Sequence, residues 1–221
     1  MELPLPRVVQ VGFNKCATRS LANLFAGSGH RSAHQKFRRP FGPNRNIAAL
    51  IRDNKQAGRP MFDGFDDYVF YADLVLQTRT ETYEAFKDFR RILADYPDTI
   101  LLLNTRDREN WIRSRVRHGH GTFLEMVTEA NGFETKDACL EFWRQDWDRH
   151  LADVRGFMAD RPDQLVEFNT DTGNVHDLCA RLPAYALNPV AWGTVGRSRG
   201  RRRVWILEKV ATLNARRKSR R

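Results

Sequence analysis

Apolar residues along this chain fall into two kinds of pattern. Short runs at Val8–Phe13 (VVQVGF), Thr99–Asn104 (TILLLN) and Leu165–Phe168 (LVEF) read as buried strands. Between them the apolar positions recur at helical spacing. Thr18–Ala26 carries Leu21, Ala22, Leu24 and Phe25, and Gly27-Ser28-Gly29 stops it. Ile47–Gln56 and Arg108–Arg117 read as further helices, and Thr82–Tyr96 as an amphipathic one with Phe86, Phe89 and Leu93 on one face. Lys136–Met158 is a long helix whose stripe of Trp143, Trp147, Leu151, Val154 and Met158 marks a core face. Val175–Leu182 and Val204–Leu213 complete the helices, while Arg38–Arg45 reads as a loop and Pro60–Tyr71 as a polar loop with a strand edge. Strands separated by helices of crossover length predict an α/β fold, a parallel sheet between two helical layers.

Composition narrows the class. The chain has 221 residues and is 41% hydrophobic, enough for one sizeable domain, which we place at residues 1–195. Apolar runs fall far short of the ~20 residues of a membrane span, and Met1–Val8 lacks the apolar stretch of a signal peptide. Cys16, Cys139 and Cys179 have no metal-ligand spacing and suit a reducing compartment, so a cytoplasmic protein is expected. The net charge of +10 is concentrated at one end. Residues 196–221 hold 11 of the 37 Lys and Arg and one of the 27 Asp and Glu, leaving 26 of each sign elsewhere. This basic segment reads either as a solvated tail or as a flap over a polyanionic ligand.

The first strand runs into GFNKCATRSL, Gly12–Leu21. A strand stops, a turn follows, and a helix begins near Thr18, so the first helical N–H groups face whatever the turn holds. Gly12 suits a sharp turn, Lys15 adds an ammonium, Thr18 and Ser20 add hydroxyls, and Arg19 adds a planar donor fork. A plain helix entry capped by Thr18 explains neither Lys15 nor Arg19. The nucleotide loop G-x-x-x-x-G-K-[ST] does not fit, because Ala17 stands at its second glycine and Thr18 at its lysine.

A lysine three residues after the first glycine is the register of sulfotransferases that use 3′-phosphoadenosine 5′-phosphosulfate (PAPS). Their 5′-phosphosulfate loop reads approximately G-x-x-K-[SG]-G-T-[TR]-x-L. The segment resembles it at Gly12, Lys15, Thr18, Arg19 and Leu21, and departs at Cys16 and Ala17. A second element of that family binds the 3′-phosphate with an arginine after an interior strand and a serine eight residues on; Arg106 and Ser114 resemble that pair. Leu165–Asp171, followed by Asp177–Pro183, resembles a third, degenerate element. The likeness covers most of residues 7–195 and is strongest to small bacterial-type members. It implies a P-loop-like three-layer fold, PAPS as donor, PAP as product, and no metal. The donor would be held by Asn14, Lys15, Cys16, Ala17, Thr18, Arg19, Ser20, Arg106 and Ser114, with Arg197 and Arg199 of the basic segment closing over it.

Sulfuryl transfer needs an in-line acceptor hydroxyl, a base, and positive charge on the leaving oxygen. The resemblance implies Lys15 for the charge. For the base it implies a His or an acid after the first helix or next strand. His34 fits that place, with Asp63 and Asp66 as rivals and Asp73 behind them. His118 and His120 are poorer candidates, since the end of their helix is expected to face away from the sulfate. The expected acceptor is a small molecule or carbohydrate, a glycan or glycolipid being favoured. A nucleotide-dependent kinase and a non-catalytic binder with a basic tail are the alternatives; nucleic acid is not expected as a partner, and the oligomeric state stays open.

Overall fold

The computed structural model of the protein describes residues 5–37 and 44–193. Its frame is a sheet of five parallel strands: β1 (Val8–Gln10), β2 (Ser32–His34), β5 (Phe70–Ala72), β8 (Ile100–Thr105) and β9 (Leu165–Asn169), in the order β2-β5-β1-β8-β9. The register runs Val8↔Phe70 on one side of β1 and Val8↔Ile100 on the other. Two small antiparallel pairs stand outside this sheet: β3 (Lys36–Phe37) with β4 (Arg45–Asn46), and β6 (Val75–Gln77) with β7 (Thr82–Glu84).

Side chains alternate across the strands, so each strand feeds two cores. Val8, Phe70, Ala72 and Leu102 pack with Leu21, Leu24 and Phe25 of α1 (Thr18–Gly27) and Leu178 of α7 (Val175–Ala180). Val9, Tyr71, Leu101 and Leu103 face α2 (Ile47–Gln56), α3 (Phe89–Asp95), α4 (Arg108–Val116), α5 (Thr122–Ala130) and α6 (Lys136–Phe157). Phe25 stacks on Phe70 with centroids 4.2 Å apart; burying such a side chain stabilises by about 1.5–3 kcal/mol. The Trp143–Met158 stripe is buried as its spacing requires.

Several elements depart from the sequence pattern. The helix expected over Thr82–Tyr96 begins as strand β7, because Thr82, Tyr83 and Glu84 pair with β6; only α3 is regular helix. Phe86, Phe89 and Leu93 are buried all the same. β5, expected as an edge, lies inside the sheet between β2 and β1. Neither β2 nor α5 has a sequence run strong enough to announce it. The helix expected at Val204–Leu213 lies outside the described residues, as does 38–43 of the loop expected at Arg38–Arg45. Among the described residues no helix is long and apolar enough to cross a membrane.

Candidate active site

After β1 the chain visits β2 and β5 on the left before it reaches β8 on the right, and α1 after β1 and α4 after β8 pack on opposite faces, so the two loops part and leave a crevice between them. Open α/β sheets bind ligands in such a crevice. The loop after β1 and Arg106 after β8 meet there.

Two polar strand residues shape the loop. Asn104 Oδ1 accepts from Gly12 N (3.1 Å) and from Gln10 Nε2 (2.6 Å), while Asn104 Nδ2 donates to Cys16 O (2.6 Å). Gln10 Oε1 in turn accepts from Asp73 N (2.9 Å), tying in the end of β5. Trp111 Nε1 donates to Asn14 O (3.0 Å), and Arg106 Nη1 to Lys15 O (3.1 Å). Carbonyls held inward in this way leave the loop N–H groups for a ligand. Lys15 and Ala17 have φ of 67° and 56°, with Cys16 between them outside that region. Left-handed residues alternating with ordinary ones gather amides into an anion-binding nest. The cap of α1 is Ala17, with no side-chain hydrogen bond.

Gly12 serves a different purpose from the one its sequence suggests. Its φ is ordinary, and a Cβ there would lie 2.1 Å from Asn104 O, so the glycine is needed for strand contact. Thr18 does not cap α1; its Oγ1 lies 3.1 Å from His34 Nε2. Ser20 Oγ donates to Gly193 O (2.6 Å), which leaves only its backbone N–H for a ligand. The Cys16 thiol is fully buried and its pKa is raised by that burial, so only its backbone can contribute. Asn14 is buried, and its Oδ1 has no partner among the described residues. Arg19 is exposed at the first turn of α1.

His34 ends β2 and Asp73 follows β5; His34 Nε2 and Asp73 Oδ2 are 3.6 Å apart. Burial lowers the His34 pKa, Asp73 opposes this, and Arg19 adds to it. Burial also lowers the Lys15 pKa, against Asp73 and with Arg19 and Arg106. Asp63 and Asp66 are not part of this group. They precede β5 at the amino end of the parallel sheet, where Asp63 pairs with Arg59 (3.3 Å) and Asp66 O accepts from Arg7 (3.0 Å). Asp73, at the opposite end of the same strand, is the acid the topology brings to Lys15 and His34.

Arg106 is half shared with the protein. Its Nη2 donates to Asp171 Oδ1 (2.9 Å), and its buried Nε has no acceptor among the described residues. Asp171 also accepts from Asp107 N (3.1 Å), so a carboxylate sits where α4 begins. Ser114 is half-buried on α4, with no hydrogen bond to Arg106 or to the loop. Arg197 and Arg199 lie outside the described residues. His118 is where the sequence reading fails. α4 ends at Val116, and two residues on, still along the line of the helix, His118 Nδ1 lies 3.4 Å from Lys15 Nζ. Among the described residues no group of three His, Cys, Asp or Glu side chains is arranged to hold a metal ion.

The donors that converge here, an ammonium, a guanidinium, a hydroxyl and helix amides without a side-chain cap, suit a polyanion. Gln10 and Asn104, the residues that hold the loop, were not singled out from sequence; polar side chains inside apolar strands were their only signal. A family model described as a sulfotransferase domain matches residues 7–185. A search of curated proteins finds no match. With the parallel sheet, the lysine-bearing loop and this match over most of its length, the chain belongs to the sulfotransferase domain family.

Proposed function

We propose that this transferase moves a sulfuryl group from PAPS to an acceptor hydroxyl, a glycan or glycolipid being the favoured acceptor, and releases PAP. The observation that carries this reading is the junction of Lys15 and Arg106 in one crevice, with Arg106 Nη1 donating to Lys15 O. Bound PAPS would supply the activated sulfuryl group. Asn14, Lys15, Cys16, Ala17, Thr18, Arg19 and Ser20 surround its phosphosulfate mainly through backbone N–H groups. Arg106 and Ser114 serve the 3′-phosphate.

Lys15 Nζ neutralises charge on the oxygen that leaves. Electrostatic stabilisation of this kind is commonly worth ~10²–10³ in rate. His34 takes the acceptor's proton at Nε2. With the ring proton on Nδ1, Nε2 accepts from Thr18 Oγ1 at 3.1 Å. Once protonated, it faces the Asp73 carboxylate at 3.6 Å, which stabilises the imidazolium. A lowered pKa keeps the ring neutral and ready to accept a proton near neutral pH.

Thermal unfolding tests the donor. PAP should raise Tm in a concentration-dependent way, and ATP with Mg²⁺ should not. Arg106→Ala should abolish the PAP shift and Lys15→Ala should diminish it. A Tm rise with ATP–Mg²⁺ but none with PAP would reverse the assignment in favour of a kinase.

A further inference from the structure

His118 lies in a turn that the family reading gives no role, yet it touches the residue on which that reading depends. We propose that His118 is a positioning residue: its unprotonated Nδ1 accepts a hydrogen bond from the Lys15 ammonium and fixes where that charge points. This rests on the reading of Lys15 as the group that neutralises the leaving oxygen.

The chemistry of the contact has one sense. An ammonium offers only donors, so at 3.4 Å the Nδ1 atom must present its lone pair and the ring proton must be on Nε2. The side chain of Lys15 has four methylenes and many rotamers; a fixed acceptor removes most of them. Without that acceptor the charge is free to swing away from the crevice.

The fold holds His118 firmly. Arg115, one turn earlier on α4, is 2% exposed, donates to Glu84 Oε1 at 2.8 Å, and lies over the rings of Phe13, Trp111, Phe123 and Trp143. Trp111 of the same helix binds the loop at Asn14 O. The Phe123 ring lies 5.3 Å from the His118 ring. Beyond it, Gly119, His120 and Gly121 have φ of 60°, 57° and 96°. His120 is not glycine, so its conformation costs about 1 kcal/mol, which the surroundings must offset. Thr122 Oγ1 donates to Gly119 O at 2.7 Å and secures the turn. His118 itself is carried by the end of α4; the strained turn reverses the chain after it and leads into α5, whose Phe123 ring packs against the imidazole.

The charged groups facing His118 are Lys15 and Arg19 from the loop and α1, Asp73 from the end of β5, and Arg115 from its own helix. Burial lowers its pKa, and Lys15 lowers it further. Protonation in acid therefore removes the acceptor and places a second positive charge against Lys15.

Two measurements test the proposal. The first needs no donor: the imidazole resonances of the free protein are titrated by NMR, His118 being assigned from its loss in His118→Asn. His118 should titrate below the usual ~6.5, and Lys15→Ala should raise its pKa toward that value. An unmoved titration overturns the pairing. The second compares substitutions. His118→Ala should lower kcat about 10- to 100-fold, the scale of a small misplacement of a reacting group, with the PAP-induced Tm shift retained. His118→Asn, whose Oδ1 stands where Nδ1 was, should recover most of kcat and give a shallower acid limb than the native protein. An Asn variant no more active than the Ala variant overturns the positioning role. Failure of the donor reading is separate, since it appears as a missing PAP shift in the unsubstituted protein.

Discussion

Lys15, His34 and Asp73 stand at the ends of three different chain segments, and each is expected to fail in its own way. Lys15→Ala should reduce kcat by ~10²–10³ through lost charge stabilisation. His34→Ala should cost ~10²–10⁴ in kcat, the range of general-base catalysis, and leave PAP binding intact. Asp73→Asn should cost less and move the acid limb of the rate profile downward, since the charge that stabilises the His34 imidazolium is lost. Full turnover in both His34→Ala and Asp73→Asn would remove them as base and partner. Asp63→Asn and Asp66→Asn should leave rates unchanged, because both acids sit at the far end of the sheet. Asp171 sets a further test. Its carboxylate already occupies Arg106 Nη2, so Asp171→Asn should tighten PAP about 3- to 10-fold by removing a like charge from an incoming phosphate. Adenosine 5′-phosphosulfate, which lacks the 3′-phosphate, should bind the variant and native protein equally. An equal gain for both ligands would separate Arg106 from the 3′-phosphate.

At the scale of an element, the loop between β1 and α1 is governed by backbone geometry. Gly12→Ala would set a methyl group 2.1 Å from the backbone oxygen of Asn104 in β8. Backbone cannot yield as a flexible side chain does, so a loss of about 3 kcal/mol or more is expected in denaturant unfolding. Gly156→Ala near the end of α6 meets no atom within 4 Å and is the matched control. It should be neutral or stabilising by about 1 kcal/mol. Ala17, where the family pattern has glycine, holds φ 56°. Ala17→Gly should therefore stabilise by about 1 kcal/mol, the cost of left-handed backbone for a residue with a Cβ. A variant less stable than the native protein would contradict the nest geometry.

Across the whole molecule, several buried titrating groups bias the fold against acid. Burial alone would raise the pKa of Glu84, but Lys87 and Arg115 outweigh it and bring it down to about 2. Its folded value is below its unfolded value, so the stability it contributes is present above the unfolded pKa of about 4.3. That contribution is lost as pH falls from there toward about 2. His34, His118 and His150 are also lowered by burial. The unfolded chain takes up their protons first, so stability should begin to fall below pH ~6.5 and continue downward. Urea midpoints measured from pH 8 to pH 4 should decline steadily, and His150→Gln should flatten the upper part of that decline. Midpoints independent of pH over this range would show that the histidines are not buried in neutral form.

The sequence by itself determined what depends on near neighbours in the chain. Strand, loop and helix at Val8–Gly27 follow from a β-branched run, a turn and a 3.6-residue period, and the register of Lys15 after Gly12 separated this loop from the nucleotide loop. Residues distant in sequence were legible only where one motif lay next to a buried strand, as Arg106 does. Tertiary structure decided the rest. Asp63, Asp66 and Asp73 lie within eleven residues of one another, yet β5 runs between them, and the direction of one parallel strand sends the first two to the amino edge and the third to Lys15. The direction in which His118 faces depends on how α4 packs beside the loop, which sets the end of that helix 3.4 Å from the Lys15 ammonium. Gln10 and Asn104 stand out in a linear reading only as polar residues within apolar strands; their role lies in hydrogen bonds across the sheet. Such contacts join groups about ninety residues apart, and no local pattern encodes a distance that only the packed sheet creates.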